Sequence, residues 1–395
     1  MVVTGRPEGD YMNTEPIDGI QELLDQAQAA DDAHHYPPLT SADTIIKGRL
    51  IKEPPAPEAL ITYNDSAMLT RGCVGGLVAA GGTGKTMLFL QLGIMMASAG
   101  NIGPLKAPKP LNGLLLIAED PQDELDRRLW RINPGKFPDG LHAISVAGKV
   151  GPLMQLDNGN PERSRWYDWL RKTIENHENL DVLMIDPKSR FYGLDENNND
   201  HCTQWIACLE SLAVEFKVTI LFAHHVSKAK GDELHQSMSR GGSAIADGVR
   251  WLVGLTPMNE KIAVKYGVNP RNYIEMDLVK ANYVAKLPHT LFFKRDNLGV
   301  LHYSDLEMGL REEMTQQLVM LLSDETTELT RRDLKREKTG NDIAEEMKKR
   351  FPKFTRNRDM DFCIDYGIHK GWLEELVIGT KQNHKTIIRV RTVSY

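Results

Sequence analysis

The segment AAGGTGKTML, residues 79–88, combines glycines with a lysine and a threonine at the spacing of a phosphate-binding loop. It follows an apolar run and opens an apolar helical run, which is the context that such a loop requires. Backbone N–H groups of a glycine-rich turn can point at phosphate oxygens, and the helix N-terminus adds a positive dipole. The predicted nucleotide-binding residues are Gly81, Gly82, Thr83, Gly84, Lys85, Thr86 and Met87.

Two side chains of this loop have distinct chemistry. The ammonium group of Lys85 would neutralise the β and γ phosphates of ATP, and the hydroxyl of Thr86 would bind Mg²⁺. The full motif also has a glycine five residues before Gly84, where this chain has Ala79. Alanine is the smallest residue with a Cβ atom, so we expect the loop to keep its conformation.

Hydrolysis of a bound triphosphate also needs a carboxylate near the metal and a base for the attacking water. Asp186 ends the apolar run DVLMID and is the candidate metal ligand, as expected of a Walker B strand. Glu119 and Asp120 end the run GLLLIAED, and we favour Glu119 as the catalytic base. Carboxyl ends of parallel strands line one crevice, so these acids should face the phosphates. The alternative is that they are merely exposed strand ends.

A pair of histidines, His224 and His225, ends the apolar run TILFAHH. The same argument places them at the carboxyl ends of the strands. A polar residue at this position can sense the γ phosphate, and we favour His225 for that role. A structural histidine is the alternative.

Together these residues resemble the RecA-like ATPases, more narrowly the RepA replicative helicases of broad-host-range plasmids, and more distantly the DnaB helicases. The motifs LVAAGGTGKTMLFLQL, IAEDP, DPKSRF, HHVSK, SRGGSAIADGVRW and KANY carry the resemblance over roughly residues 70–300. It implies a hexameric ring with ATP sites between subunits. The position matching the arginine finger is Arg250, and Lys280 is a candidate second cation acting on the neighbouring subunit's nucleotide.

A polar, glycine-containing segment separates His225 from Arg250. In the family that this chain resembles, the corresponding segments face the central channel and contact single-stranded DNA. The candidate DNA contacts are Lys228, Lys230, Ser239 and Arg240, which would bind phosphates without reading bases. A solvated surface loop is the alternative.

Short apolar runs alternate with amphipathic helical segments from about residue 70 onward. This alternation predicts an α/β fold with a mostly parallel central sheet and right-handed crossovers. The runs RWLVGLT, YIEMDLVKANY and TLFFKRD follow closely enough to add antiparallel strands at one side. With the resemblance, the predicted fold is a RecA-like P-loop ATPase core.

The chain divides by composition into an acidic N-terminal arm and linker (1–68), the ATPase core (69–305) and a C-terminal domain (306–395). Residues 1–70 carry 4 Lys/Arg against 12 Asp/Glu, and residues 311–395 carry 17 against 15. The arm includes one helical pattern, IQELLDQAQAADDA. The C-terminal domain reads as three helices, including TRNRDMDFCIDYGIHKGWLEEL, and a β-ribbon around KTIIRVRTV, which indicates a winged-helix-like domain. It could bind duplex DNA, recruit an initiator or primase, or mediate assembly.

Composition excludes several classes of protein. The net charge of −6 is unlike that of a protein that binds duplex DNA by electrostatics alone. The 4 cysteines form no zinc or disulfide pattern, and we expect them to be reduced and structural. The chain has neither a membrane-spanning apolar run nor a signal peptide, so we expect no membrane association and a cytoplasmic location.

Three functions remain open at this point. The first is an ATP-driven ring helicase that moves along single-stranded DNA during replication of a plasmid, phage or integrated element. The second is a RecA- or KaiC-like assembly ATPase, or a helicase loader, without unwinding activity. The third is a DNA-binding regulator with an ATPase attached. We favour the helicase, because the arginine follows directly after the predicted channel loop.

Overall fold

Strands and helices alternate along most of the chain. The computed structural model describes residue 53 and residues 55–226, 243–283, 290–324, 328–335, 343–380 and 383–391. The strands are β1 (Ala59–Tyr63), β2 (Ser66–Thr70), β3 (Val74–Ala80), β4 (Asn101–Ile102), β5 (Leu105–Lys106), β6 (Gly113–Ile117), β7 (Leu141–Ser145), β8 (Met154–Asp157), β9 (Asn160–Arg163), β10 (Val182–Asp186), β11 (Thr219–Val226), β12 (Trp251–Pro257), β13 (Tyr273–Ala281), β14 (Leu291–Arg295), β15 (Leu301–Tyr303), β16 (Leu373–Thr380) and β17 (Asn383–Val390).

Helices connect most of these strands. They are α1 (Lys85–Ala97), α2 (Gln122–Ile132), α3 (Arg165–Glu175), α4 (Ser189–Tyr192), α5 (Asn199–Phe216), α6 (Ser243–Gly248), α7 (Glu260–Tyr266), α8 (Leu306–Ser323), α9 (Arg331–Leu334), α10 (Ile343–Arg350) and α11 (Arg358–His369), with a 3₁₀ turn at Pro270–Asn272. α1 is buried along nearly its whole length, which explains why its sequence is apolar on all sides.

The central sheet has the strand order β15-β14-β13-β12-β3-β11-β10-β6-β7. The strands from β12 to β7 in this order pair in parallel, whereas β12, β13, β14 and β15 pair antiparallel. Helices return the chain between parallel strands, as such connections require. The predicted fold class is therefore confirmed: the protein has an α/β core with a mostly parallel sheet, consistent with a RecA-like P-loop ATPase.

The parallel strands bring distant segments to one edge of the sheet. β3 ends at Ala80, β10 ends at Asp186, and His225 pairs with Ala79 in the register of β11 and β3. We call this the carboxyl edge, and we call the opposite edge, where β3 begins at Val74, the amino edge. The predicted loop leaves β3 at the carboxyl edge and enters α1.

Each face of the sheet is covered by its own apolar cluster. Along β3, Leu77 and Ala79 belong to the cluster that includes α1, whereas Val74 and Val78 belong to the cluster that includes α5. The alternation follows from the two-residue period of a strand. Burial on both faces explains why the core strands are continuously apolar.

A small second sheet precedes the core. Its strands follow the order β2-β1-β5-β4. Leu60 and Ile61 of β1 are buried in the same apolar cluster as α1. The predicted boundary at residue 68 thus falls inside β2, and the division into domains stays a prediction.

The side chain of Gln91 links α1 to β15. Its Nε2 donates to the carbonyl oxygen of Leu301 at 2.8 Å, and its Oε1 accepts from the N–H of Leu301 at 3.0 Å. Gln91 is buried, so both hydrogen bonds lie inside the protein. They tie the helix after the loop to the hairpin formed by β14 and β15.

The C-terminal region contains helices followed by the antiparallel ribbon of β16 and β17, as predicted. The predicted helix over residues 355–376 is wrong at its C-terminal end, because α11 ends at His369 and β16 begins at Leu373. Gly371, with φ of +73°, adopts the left-handed conformation that ends a helix. The prediction extended the helix past Gly371, although a glycine in this conformation ends a helix.

Residues 57–395 form one compact unit. The predicted N-terminal helix lies outside the described residues. The cysteines Cys73, Cys202, Cys208 and Cys363 are free and buried, in agreement with a structural role. Within the described segments, no helix is both long and apolar enough to span a membrane.

Candidate nucleotide-binding site

The loop between β3 and α1 needs glycine at two positions. Gly82 has φ of +78° and Gly84 has φ of +106°, values that residues with a Cβ atom rarely adopt. A Cβ atom at Gly84 would also lie 3.2 Å from Nη2 of Arg295. The loop conformation therefore depends on glycine here, and it leaves the N-terminus of α1 open for an anion.

Ala79 does not disturb this loop. It lies inside β3 and is fully buried, and the loop begins only after Ala80. A strand position accepts a Cβ atom without strain, so the departure from the full glycine motif has a simple structural explanation.

Lys85 is a buried cation at the first position of α1. It is 4% exposed, and its Nζ lies 3.1 Å from Nε2 of His225 and 3.9 Å from Oδ1 of Asp186. Burial lowers the pKa of Lys85, while Asp186 and Glu119 oppose this shift. A phosphate beside Nζ would stabilise the charged form further, so the site suits an anionic ligand.

Asp186 and Thr86 provide the oxygens expected of a magnesium site. Oδ2 of Asp186 is buried and has no hydrogen-bond partner among the described residues. An unpaired buried carboxylate oxygen is costly, and a hydrated Mg²⁺ would satisfy it. No group of three or more His, Cys, Asp or Glu side chains in the described segments could hold a metal alone.

Glu119 lies beside His225 at the carboxyl edge. Its Oε2 is 3.9 Å from Nε2 of His225, and its Oε1 is 3.6 Å from Nε of Arg190. Asp120 instead pairs with Arg128, whose Nη1 lies 3.0 Å from Oδ2 of Asp120. The carboxylate beside His225 is thus Glu119, as the choice of catalytic base requires.

The two histidines have different surroundings. His225 is exposed at the cleft, whereas His224 is partly buried behind it. Burial lowers the pKa of His224 to about 4, and the positive charge of Lys188 acts in the same direction. His224 is therefore neutral near pH 7. His225 is the histidine that faces Lys85 and Glu119.

A cleft of about 320 Å³ opens above the loop. Predicted residues that line it are Gly82, Gly84, Lys85, Thr86, Met87 and His225. A neighbouring cleft of about 420 Å³ is lined by Gly81, Gly82 and Thr83 on the other side of the loop. The predicted residues around the loop therefore lie together, and their roles remain predictions.

Arg295 is a site residue that sequence reasoning missed. It ends β14 and lines both clefts. Its Nη2 donates to the carbonyl oxygen of Gly82 at 3.1 Å and to that of Thr83. Arg295 therefore ties two carbonyl groups of the loop to the end of β14. The sequence TLFFKRD carries no motif that predicts this contact, because the contact joins segments that are distant in sequence. Arg128 also lines the first cleft and was likewise not predicted.

Arg250 lies at the amino edge, away from the loop of its own chain. Its N–H donates to the carbonyl oxygen of Val74, the first residue of β3, at 3.0 Å. The length of β3 separates the two edges by about 20 Å, which an arginine side chain cannot span. The Arg250 side chain is 41% exposed, and its Nη2 lies 3.7 Å from Oε1 of Glu210 on α5.

Lys280 lies at the amino edge as well. Its Nζ donates to the carbonyl oxygens of Ala246 and Asp247, each at 2.7 Å, near the end of α6. Burial lowers its pKa, Asp247 opposes that shift, and Arg250 adds to it. Lys280 therefore caps α6 in this conformation. The candidate DNA contacts Lys228, Lys230, Ser239 and Arg240 lie outside the described residues.

Comparison with known proteins gives two findings. Residues 37–231, just under half of the chain, match the AAA domain family AAA_25. A solved structure whose title describes an ATPase domain aligns with 74% of this chain and 100% of its own, at 12% sequence identity and a TM-score of 0.40. The family match covers β3, the loop, Glu119, Asp186 and His225, and it ends before Arg250. Over residues 37–231 this protein is therefore similar to the AAA domain family.

Proposed function

We propose that this protein is an ATP-driven, ring-forming DNA helicase that translocates on single-stranded DNA during replication of a plasmid, phage or integrated element. One observation supports it above the others. At the carboxyl edge, Lys85 lies 3.1 Å from His225 and 3.9 Å from Asp186, and His225 lies 3.9 Å from Glu119, whereas the side chain of Arg250 is 41% exposed at the amino edge. Such a chain has half of a hydrolytic site at each edge. Two copies placed edge to edge would complete it.

Within one copy, the cleft residues divide the work of hydrolysis. Lys85 would bind the β and γ phosphates of ATP, and Asp186 and Thr86 would hold Mg²⁺, which would neutralise charge on these phosphates. Glu119 accepts a proton from the attacking water. His225 lies beside both Lys85 and Glu119, so loss of the γ phosphate would change the groups that surround its imidazole ring.

The neighbouring copy supplies the remaining cation. Its Arg250 would spread charge from the transferring phosphoryl group over a planar guanidinium that stays protonated. Lys280 lies beside Arg250 and would act as a second cation once its contacts to α6 are released. A hexameric ring is the assembly that this arrangement and the family resemblance favour.

The position of the predicted DNA loop supports coupling of hydrolysis to movement. Residues 227–242 begin directly after β11, which carries His225, and end at α6, which precedes Arg250. In sequence, this segment therefore links the proposed γ-phosphate sensor to the proposed arginine finger. We propose that Lys228, Lys230, Ser239 and Arg240 bind phosphodiesters without base readout. The C-terminal domain is the proposed contact for an initiator or primase.

A forked DNA substrate tests this function. Purified protein with ATP and Mg²⁺ should hydrolyse ATP faster with single-stranded DNA and should displace the annealed strand. Electron micrographs with an ATP analogue and an oligonucleotide should show closed rings. DNA-stimulated hydrolysis without strand displacement, together with filaments, would instead identify an assembly ATPase.

A further inference from the structure

Lys188 is a fully buried lysine two residues after Asp186. Its exposed fraction is 0%, and its Nζ lies 2.9 Å from Oε1 of Glu196. The same Nζ lies 3.5 Å from the centroid of the Tyr192 ring. Nζ also lies 5.7 Å from the centroid of Trp205, so one carboxylate and two aromatic rings surround the lysine beside the apolar cluster that includes α5.

A charged lysine at a fully buried position lowers the stability of the folded state unless other contacts compensate. Removing its charge from water costs several kcal/mol, and a single ion pair often fails to offset this cost. Glu196 is itself 50% exposed, so its carboxylate remains partly solvated. An apolar side chain of similar length would fill the space without the penalty. Stability alone therefore does not account for Lys188.

The contacts of Lys188 converge on the nucleotide cleft. Its backbone N–H donates to the carbonyl oxygen of Ala223 at 2.7 Å, next to the two histidines of β11. Its side chain reaches past α4 to Glu196. α4 carries Arg190, which lies 3.6 Å from Glu119. Lys188 thus stabilises α4, the short helix that carries Arg190 beside Glu119.

We propose that Lys188 is a positioning residue for ATP hydrolysis: its ion pair with Glu196 anchors α4, and α4 holds Arg190 against Glu119. Lys188 has no exposed surface, so it would act on hydrolysis through these other residues. The proposal rests on the proposed hydrolysis of ATP. It goes beyond that function by assigning a task to a buried group that the hydrolytic scheme does not use.

Lys188→Met is the first test. Methionine fills most of the space without a charge, so we expect kcat for ATP to fall at least tenfold. KM for ATP should stay within twofold, because Lys85 and the loop are unchanged. Tm should stay equal to the wild-type value or rise. Lys172→Met, at an exposed position of α3, is the matched control and should leave kcat and Tm unchanged.

A double-mutant cycle with Glu196 separates positioning from folding. Glu196→Gln leaves the buried ammonium without a carboxylate, so Tm and kcat should both fall. Lys188→Met/Glu196→Gln removes both charges and should recover Tm without recovering kcat. Glu196→Gln also keeps the proposal testable if Lys188→Met fails to fold.

Two outcomes would overturn the positioning role while leaving the proposed function intact. The first is a wild-type rate of hydrolysis in Lys188→Met. The second is a loss of kcat that follows Tm through the cycle and disappears in the double variant. If the wild-type protein with Mg²⁺ hydrolyses no ATP, the proposed function fails first, and the role of Lys188 fails with it.

Discussion

The two edges of the central sheet differ in how they hold their cations. At the carboxyl edge, Lys85 is 4% exposed and lies within 4 Å of both His225 and Asp186. At the amino edge, Arg250 is 41% exposed and lies 3.7 Å from one partner, Glu210. The first cation is fixed inside its own chain, whereas the second is displayed at the surface. Under the proposed function, this difference would mean that a subunit prepares half of a site for its own ligand and presents the other half to a neighbour.

The largest expected effect belongs to the carboxyl edge. Lys85→Ala should abolish both nucleotide binding and hydrolysis, because it removes the buried charge beside the phosphates. Fluorescent ADP and ATP binding together with phosphate release would measure this. Lys172→Ala is the surface control. Normal binding by the Lys85 variant would contradict the assigned role of the cleft.

A change at the amino edge should affect turnover alone. Arg250→Ala should bind ATP normally but lose on the order of 10³-fold in kcat, the range expected for an arginine finger. A mixture of Arg250→Ala and Glu119→Ala should recover some hydrolysis, because some interfaces then combine an intact cleft with an intact arginine. Hydrolysis by the mixture at no more than the sum of the separate rates would argue against action between subunits.

A smaller effect is expected from the hairpin that supports the loop. Arg295→Met removes the donor to the carbonyl oxygens of Gly82 and Thr83, so the nucleotide Kd should rise about tenfold, as for loss of one charged hydrogen bond. ADP and ATP should be affected equally, since the loop binds phosphates common to both. Lys294→Met, the exposed neighbour on β14, is the control. A selective loss of ATP affinity would place Arg295 at the γ phosphate instead.

The smallest expected effect concerns pH. The pKa of His224 is about 4 in the folded protein against 6.5 for an ordinary histidine. The unfolded chain therefore binds a proton first as the pH falls from 6.5 towards 4, and the folded state loses stability over that range. Between pH 7 and pH 5 the free energy of unfolding should therefore fall by roughly 1–2 kcal/mol less in His224→Gln than in the wild-type protein. Urea unfolding at pH 7 and pH 5, with exposed His369→Gln as control, would measure it. An unchanged pH dependence would contradict the assignment to His224.

The carboxyl edge could be predicted largely because its signals are local. Glycines before Lys85 and Thr86, and polar residues that end apolar runs at Glu119, Asp186 and His225, each lie within a few residues of the element that positions them. The parallel sheet then brings these strand ends together. The end of α11 also depends on a local signal, because Gly371 ends the helix within an otherwise helical pattern, and the prediction did not use that glycine.

The remaining site residues depend on contacts between distant segments. Arg295 reaches Gly82 across 213 positions of sequence, and the register of β14 decides which side chain does so. Lys188 stands within a quoted motif, but only the packing of α4 and α5 reveals that it is buried. Neither contact has a periodic or compositional signature. Sequence reasoning therefore identifies the groups that could touch the nucleotide more readily than the groups that support them.

The contact between Gln91 and Leu301 has a consequence for how copies of this protein can associate. β15 is the last strand in its sheet, and the free backbone of such a strand is a template for pairing with another polypeptide. The Gln91 amide, with one donor and one acceptor, takes the place of that incoming peptide at Leu301. β15 is also only three residues long in the structure, which further weakens it as a template. Extension of the sheet by another polypeptide along β15 is therefore disfavoured, which lowers the risk of aggregation through this strand when subunits are crowded together.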